Sequence, residues 1–199
     1  MAAQPQRFSV VAAVPAAPAG AFTIMELLVV ISIIIILAGL ILGTSGYVQK
    51  KGARSRTEAE IAAMSAALES YKADNGVYPS DPTATEQLNP SLAPAFNTYQ
   101  ASTLYLYERL AGVTTGSRSE NPSTKSYLAF KPNMLLPAPP STADIIGIRD
   151  PFGNSYGYST MRAANPSGSA GYNPTFDLWS TAGTASASAT DQAQWIKNW

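Results

Sequence analysis

The chain contains 199 residues, with 13 basic and 13 acidic side chains and with neither histidine nor cysteine. The balanced charge gives no electrostatic reason to expect nucleic acid as a partner, and the two missing residue types exclude the commonest general base, thiol nucleophiles and the usual zinc ligands. Because no spacing of the remaining carboxylates, Lys, Ser or Tyr residues matches a catalytic constellation, we predict that the protein is not an enzyme.

The first predicted element is a helix that spans a membrane. From Leu27 to Val48 the sequence contains no charged side chain and is mostly apolar, and about 20 such residues cross a bilayer as an α-helix. One acid, Glu26, stands at the start of this run. A carboxylate at the edge of the hydrocarbon costs free energy unless it is hydrated or paired, so Glu26 is the first candidate functional residue.

The small residues near this span precede the apolar run, which is the reverse of their order in a secretory signal peptide. A signal peptide places its small-residue cleavage site after a short apolar core, whereas here Ala19, Gly20 and Ala21 precede the apolar run. Cleavage at these residues removes a leader rich in Pro and Ala and leaves the hydrophobic helix on the mature chain.

Type IV pilins and the pseudopilins of type II secretion systems begin, after their leader, with a sequence that Phe22 to Ile31 (FTIMELLVVI) closely resembles. The resemblance implies that a prepilin peptidase cleaves after Gly20 or after Ala21 and that the new N-terminus is methylated. It also implies that the amino group of Phe22 on an incoming subunit pairs with Glu26 of an assembled subunit. The alternative is that Glu26 lies among hydrated lipid headgroups and has no specific role.

An amphipathic stretch continues the helix to about Asn75, where the pair Asn75-Gly76 predicts its end. Apolar residues recur there at steps of three and four and therefore form one face of the helix. These residues are Ile61, Met64, Leu68 and Tyr71. On the opposite surface we place Glu58, Glu60, Glu69 and Lys72.

The residues that follow this helix predict a turn and a long connection. The segment from Asn75 to Pro79 is very similar to the turn that ends the pseudopilin helix. A region rich in Pro, Thr, Ala and Asn comes next, and the spacing of apolar residues predicts one short helix within it, from Thr103 to Leu110. We expect the surface specific to this subunit in this region.

The last third of the chain carries a second resemblance. The segment from Asp150 to Tyr158 (DPFGNSYGY) looks like a turn and strand of the major type II pseudopilin, with Phe152 in place of the usual Trp. Alternation predicts that Tyr156 and Tyr158 lie on one face of a strand. A further strand is predicted from Thr175 to Ser180, and the closing residues WIKNW also resemble the family.

In the family an acidic calcium loop follows that last strand. Calcium prefers several oxygen ligands that include carboxylates, but here the residues after the strand contain no acid before Asp191. The ligand set implied by the resemblance is therefore reduced to Asp191 and the backbone carbonyls of Leu178 and Ser180. The alternative is a loop without calcium, held by its own turns and by packing of Trp195 or Trp199. No other cofactor is expected.

Together these elements predict an α+β protein with the pilin fold, in which the second half of a long N-terminal helix packs on a small antiparallel β-sheet. The predicted segments are a leader peptide, a transmembrane and filament-core helix, the amphipathic second half of that helix, a variable loop region with a short helix, and a C-terminal β-sheet region. Their bounds are 1–21, 22–48, 49–76, 77–144 and 145–199.

The resemblance implies a structural subunit of a type II secretion pseudopilus, with a single pass through the bacterial inner membrane and a C-terminal domain in the periplasm. The implied partners are prepilin peptidase, copies of the same chain in a helical filament, other pseudopilins and an inner-membrane assembly platform. The alternatives are a type IV pilus subunit for adhesion, motility or DNA uptake, and an enzyme that uses the helix as a tether. The Asn75 to Pro79 turn, the Asp150 segment and the lack of a C-terminal disulfide loop favour the pseudopilus.

Overall fold

The computed structural model describes residues 23–91, 98–119 and 121–199. These residues form a mixed α+β structure with a long N-terminal helix and small antiparallel sheets, which confirms the α+β class, while the pilin fold itself stays a prediction. The chain divides into two compact units, Met1–Gly46 and Tyr47–Trp199. The helices are α1 (Ile24–Asn75), α2 (Gln100–Ala111), α3 (Met161–Ala164) and α4 (Ala189–Gln192), and the strands are β1 (Leu135–Leu136), β2 (Gly147–Ile148), β3 (Gly157–Ser159), β4 (Asp177–Ser180) and β5 (Ile196–Lys197).

Helix α1 contains 52 residues and includes both the apolar run and the amphipathic stretch predicted from the sequence. It ends at the predicted place because Gly76 adopts a φ of +80°, a left-handed conformation that glycine accepts without strain. The Gly76 N–H donates to the Lys72 carbonyl over 2.7 Å. The Asn75 side chain also caps the helix, since its Nδ2 donates to the Tyr71 carbonyl over 2.8 Å.

The strands of the second unit form two small antiparallel sheets. Strand β1 pairs with β2, and β3, β4 and β5 pair in chain order. Gly157 of β3 lies opposite Trp179 of β4, and a Cβ atom built on Gly157 would fall 2.1 Å from the Trp179 ring. The glycine therefore lets β3 lie directly against the indole. Strand β1 lies within residues 77–144, which the sequence predicted as a loop region with one short helix. That region therefore contains more regular secondary structure than predicted.

The core of the second unit forms on the predicted apolar face of α1. Met64 and Leu68 are fully buried, and Ile61 is buried beside them. Burial of each such side chain contributes about 1.5 to 3 kcal/mol, so this stripe fixes the helix to the unit. The stripe belongs to a cluster with Leu106, Leu110, Ile148, Tyr156, Tyr158 and Leu178.

A smaller cluster of buried side chains lies beside this core. The Tyr99 and Trp179 rings meet edge to face with centroids 5.2 Å apart, and Leu88 and Trp195 complete the cluster. The residues Thr103 to Leu110, predicted as a helix, lie within α2, which is longer at both ends. Helix α2 contributes Leu106 and Leu110 to the main core, and Tyr99, at its N-cap position, belongs to the smaller cluster.

The prediction for Glu60 was wrong, because its side chain is buried and only 6% exposed. Its Oε1 accepts a hydrogen bond from Arg56 Nε over 2.8 Å, and its Oε2 accepts one from Tyr156 Oη over 2.8 Å. These two donors offset the loss of water around the carboxylate. Burial and the nearby negative charge of Glu60 raise the pKa of Tyr156 well above its usual range, so the tyrosine remains a donor.

Candidate functional site

The helix that contains Glu26 begins with a capping box. The Glu26 N–H donates to Thr23 Oγ1 over 3.2 Å. In return, Glu26 Oε2 accepts from the Thr23 N–H and from Thr23 Oγ1, each over 2.9 Å. These reciprocal bonds satisfy backbone groups that the first turn of a helix leaves unpaired. The carboxylate is thereby held against the start of the apolar segment.

The role of Thr23 was missed by the sequence analysis, although the signal was present. A Thr followed three residues later by Glu, just before an apolar run, is the signature of a capping box. The processing residues Gly20, Ala21 and Phe22 lie outside the described residues. Cleavage beside them and pairing of the Phe22 amino group with Glu26 therefore stay predictions.

The apolar segment after Glu26 is not covered by the described part of the chain. Its most hydrophobic 18-residue window has a mean hydropathy of 3.0 and is 0% buried. Even the least exposed of its large side chains, Val30, is 46% exposed. Ser32 Oγ donates to the Leu28 carbonyl over 2.8 Å, so this hydroxyl is satisfied within the helix. By length and composition the helix is able to span a membrane.

The residues predicted to bind calcium already have hydrogen-bond partners within the protein. Asp191 Oδ2 accepts from Ser186 Oγ, and the Leu178 carbonyl accepts from the Asn198 N–H over 3.2 Å. The backbone of Ser180 lies in the pairing of β4 with β5, opposite Ile196, and its hydroxyl, which is not the predicted ligand atom, donates to a buried carboxylate of the turn before β3. Within the described residues, no group of three or more His, Cys, Asp or Glu side chains is placed to hold a metal ion. Calcium binding stays a prediction of the resemblance.

The loop after β4 is held by direct hydrogen bonds. The Thr184 N–H donates to the Thr181 carbonyl over 3.0 Å, and Asn154 Nδ2 donates to Thr181 Oγ1 over 2.8 Å. Trp195, which is buried, donates from Nε1 to Thr184 Oγ1 over 2.9 Å. The loop is therefore fixed by its own turn and by Trp195.

A buried carboxylate, Asp150, organises the turn before β3. Its Oδ1 accepts from the N–H groups of Phe152 and Asn154 over 3.0 and 2.9 Å, and its Oδ2 accepts from Ser180 Oγ. Burial raises the pKa of Asp150, and the hydrogen bonds from Ser180 and the backbone oppose that rise. The sequence predicted the turn but not this bond to β4, because Ser180 lies 30 residues away along the chain.

No protein-family model matches the chain, and no curated protein or solved structure matches it at a significant level. Likeness to the pilin-like proteins therefore rests on the sequence motifs, above all on the Phe22 to Ile31 segment. The described residues add one fact of their own, an uncovered apolar helix with a single carboxylate in its first turn.

Proposed function

We propose that the protein is a structural subunit of a type II secretion pseudopilus. The observation that supports this function best is the uncovered apolar segment at the start of α1, in the same helix whose later residues pack into a folded unit. An apolar surface of this size needs lipid or other protein as cover. A filament subunit uses both in turn, because lipid surrounds the helix before assembly and the same helix of neighbouring subunits surrounds it afterwards.

Glu26 has a defined place in this proposal. Both bonds from Thr23 go to Oε2, and we propose that Oε1 receives the amino group of Phe22 from a neighbouring subunit. Two opposite charges that leave water together offset part of each other's desolvation cost, whereas one charge left alone among apolar helices costs about 3 to 5 kcal/mol. The pair thus favours one axial position of the incoming helix over its neighbours.

The mechanism in this proposal is mechanical. An inner-membrane assembly platform adds subunits at the base of the filament, and the growing filament pushes secreted proteins outward. The role of this chain is to leave the lipid without exposing its apolar helix to water. The second unit, Tyr47–Trp199, provides the folded exterior of the filament, and the segment from 77 to 144 provides the surface that other components recognise.

Processing provides the direct test. The full chain is expressed in bacterial membranes with and without a prepilin peptidase, and the intact mass of the purified protein is measured. We expect loss of residues 1–20 or 1–21 only when the peptidase is present, with the helix retained. A control variant that combines Gly20→Leu with Ala21→Leu should remain uncleaved. Removal of the whole apolar helix, or no cleavage by the peptidase, would overturn the proposal.

A further inference from the structure

A basic cleft lies at the beginning of the second unit. One wall is formed by consecutive turns of α1, which contribute Tyr47, Lys50, Lys51 and Arg54, and the cleft has a volume of about 660 Å³. The other wall comes from the turn before β3, through Phe152, and from the loop after β4. The cleft is thus built by segments that are distant in sequence. The Asp150 and Trp195 contacts described above hold the second wall together, and Arg54 joins it to α1 through the Gln194 carbonyl.

The charge of this cleft has one sign. Three of its lining side chains are basic, and none of the nine described residues that line it is acidic. Arg54 is fixed by the protein, since its Nη1 donates to the Gln194 carbonyl over 2.8 Å and its Nε lies 3.3 Å from Glu58 Oε1. Lys50 and Lys51 take part in no ion pair within the described residues. Two positive charges therefore remain for an anionic ligand.

The opposite wall is partly apolar. It includes the Phe152 ring and Gly183, and a Cβ atom built on Gly183 would lie 3.4 Å from the Phe152 ring. Gly183 also adopts a φ of +81°, which favours glycine. A cleft with lysines on one side and an aromatic ring on the other suits a ligand that combines an anionic group with an apolar part.

The position of the cleft in the chain indicates which ligand that is. The cleft begins at Tyr47, directly after the apolar segment, and Tyr47 and Val48 are both strongly exposed. Tyrosine is enriched where a membrane-spanning helix meets the lipid headgroups, and basic residues beside a span attract anionic lipids. Lys50 and Lys51 follow within three residues of Val48.

We infer that this cleft binds the phosphate of an anionic phospholipid headgroup, with phosphatidylglycerol as the test ligand. Lys50 and Lys51 contact the phosphate, Arg54 holds the loop wall in place, and Phe152 contacts the apolar part of the lipid. The inference rests on the membrane-spanning helix of the proposed function, but it requires neither cleavage nor filament assembly. Carbonate extraction of the same membranes tests the span separately.

The experiment measures lipid binding to the full chain in detergent by native mass spectrometry. Phosphatidylglycerol, phosphatidylcholine and inorganic phosphate are titrated in parallel. We expect tighter binding of phosphatidylglycerol than of phosphatidylcholine, and weak binding of phosphate, which has no apolar part. Because one lysine near an anionic lipid contributes about fivefold in affinity, the double variant Lys50→Gln with Lys51→Gln should lose about 25-fold for phosphatidylglycerol and little for phosphatidylcholine.

The matched control removes the same charge elsewhere, with Lys72→Gln and Lys131→Gln, and should bind phosphatidylglycerol as the wild type does. Equal loss in this control would show a general charge effect and overturn the inference. Phosphate binding as tight as lipid binding would also overturn it, since the cleft would then be a site for free phosphate. Unchanged lipid binding with loss of filaments in the Lys50 and Lys51 variant would instead assign the cleft to a second copy of the chain.

Discussion

Helix α1 has two parts that differ in what covers their apolar side chains. The first part, residues 24–46, belongs to the first unit, and the second part, residues 47–75, belongs to the second unit. Large apolar side chains of the first part are exposed by 46% at Val30 and by 85% at Ile24, whereas Met64 and Leu68 in the second part are 0% exposed. The first part is apolar on all sides, and the second has a single apolar stripe. A stripe finds its cover within its own chain, but a helix that is apolar all round needs lipid or other chains.

The largest effect is expected on filament formation, when Glu26 at the start of the first part is replaced. Replacing Glu26 by Ala should reduce filament formation by more than about 100-fold, because the amino group of Phe22 then lacks its partner at a cost of about 3 to 5 kcal/mol. The helix should still enter the membrane. Filaments are measured by electron microscopy and by the sheared fraction, and insertion is measured by carbonate extraction.

The variant Glu26→Gln separates the two roles of this side chain. Glutamine is able to keep the reciprocal bonds with Thr23, but it carries no charge. We expect Glu26→Gln to be nearly as defective as Glu26→Ala, and the exposed Glu58→Gln to form filaments normally. Normal filaments from Glu26→Gln would show that the residue acts only as a helix cap.

The next largest effect is expected on the free energy of unfolding, when one leucine in each part of α1 is replaced by alanine. Replacing the fully buried Leu68 by Ala should lower the free energy of unfolding of the second unit by about 2 to 5 kcal/mol, since it removes apolar contacts and leaves a cavity. Replacing Leu37, which is 53% exposed, by Ala should leave the free energy of unfolding of the second unit unchanged. Thermal unfolding of the full chain in detergent is followed by tryptophan fluorescence, because Trp179, Trp195 and Trp199 all lie in the second unit. Equal destabilisation by both changes would contradict the comparison.

The sequence predicted those features that depend on neighbours along the chain. Steps of three and four identified Met64 and Leu68, and the Asn75-Gly76 pair identified the end of α1. Thr23 was also within reach of local reasoning, through its spacing to Glu26. The burial of Glu60 was not, because its donor Tyr156 lies 96 residues away.

Strand β1 shows the same limit in the second unit. It has only two residues, too few for an alternating pattern, and it exists because Leu135 pairs with Ile148. The basic cleft likewise depends on loops that meet α1 only in the folded chain. Local signals thus predicted helices α1 and α2, strands β3 and β4, and the turns that follow α1 and precede β3. The short helices α3 and α4 were not predicted, and the contacts that shape the sites depend on long-range pairing.

A smaller effect is expected where the second part of α1 buries a charge. Glu60→Gln should lower the free energy of unfolding by about 1.5 kcal/mol, because the hydrogen bonds from Arg56 and Tyr156 then lose their charged acceptor. The matched change Glu58→Gln affects an exposed pair and should cost less than about 0.5 kcal/mol. A double-mutant cycle with Tyr156→Phe measures the coupling. Additive effects of the two changes would contradict a direct bond between Glu60 and Tyr156.

The smallest effect is expected on the pH dependence of folding stability, through Asp150 of the second unit. Burial raises the pKa of Asp150 above its ordinary value of 3.8, so the folded protein binds this proton more tightly than the unfolded chain does. The resulting stability is fully present below pH 3.8 and is lost as the pH rises through the raised pKa. Asp150→Asn resembles the protonated acid and lacks this loss.

Unfolding of both proteins is therefore measured by tryptophan fluorescence from pH 3.5 to about pH 7. The stability of the wild type relative to Asp150→Asn should fall as the pH rises. Burial also raises the pKa of Asp177, but this residue is present in both proteins and its effect cancels in the difference. A pH-independent difference would mean that the hydrogen bonds from Phe152, Asn154 and Ser180 fully offset the burial of the Asp150 carboxylate.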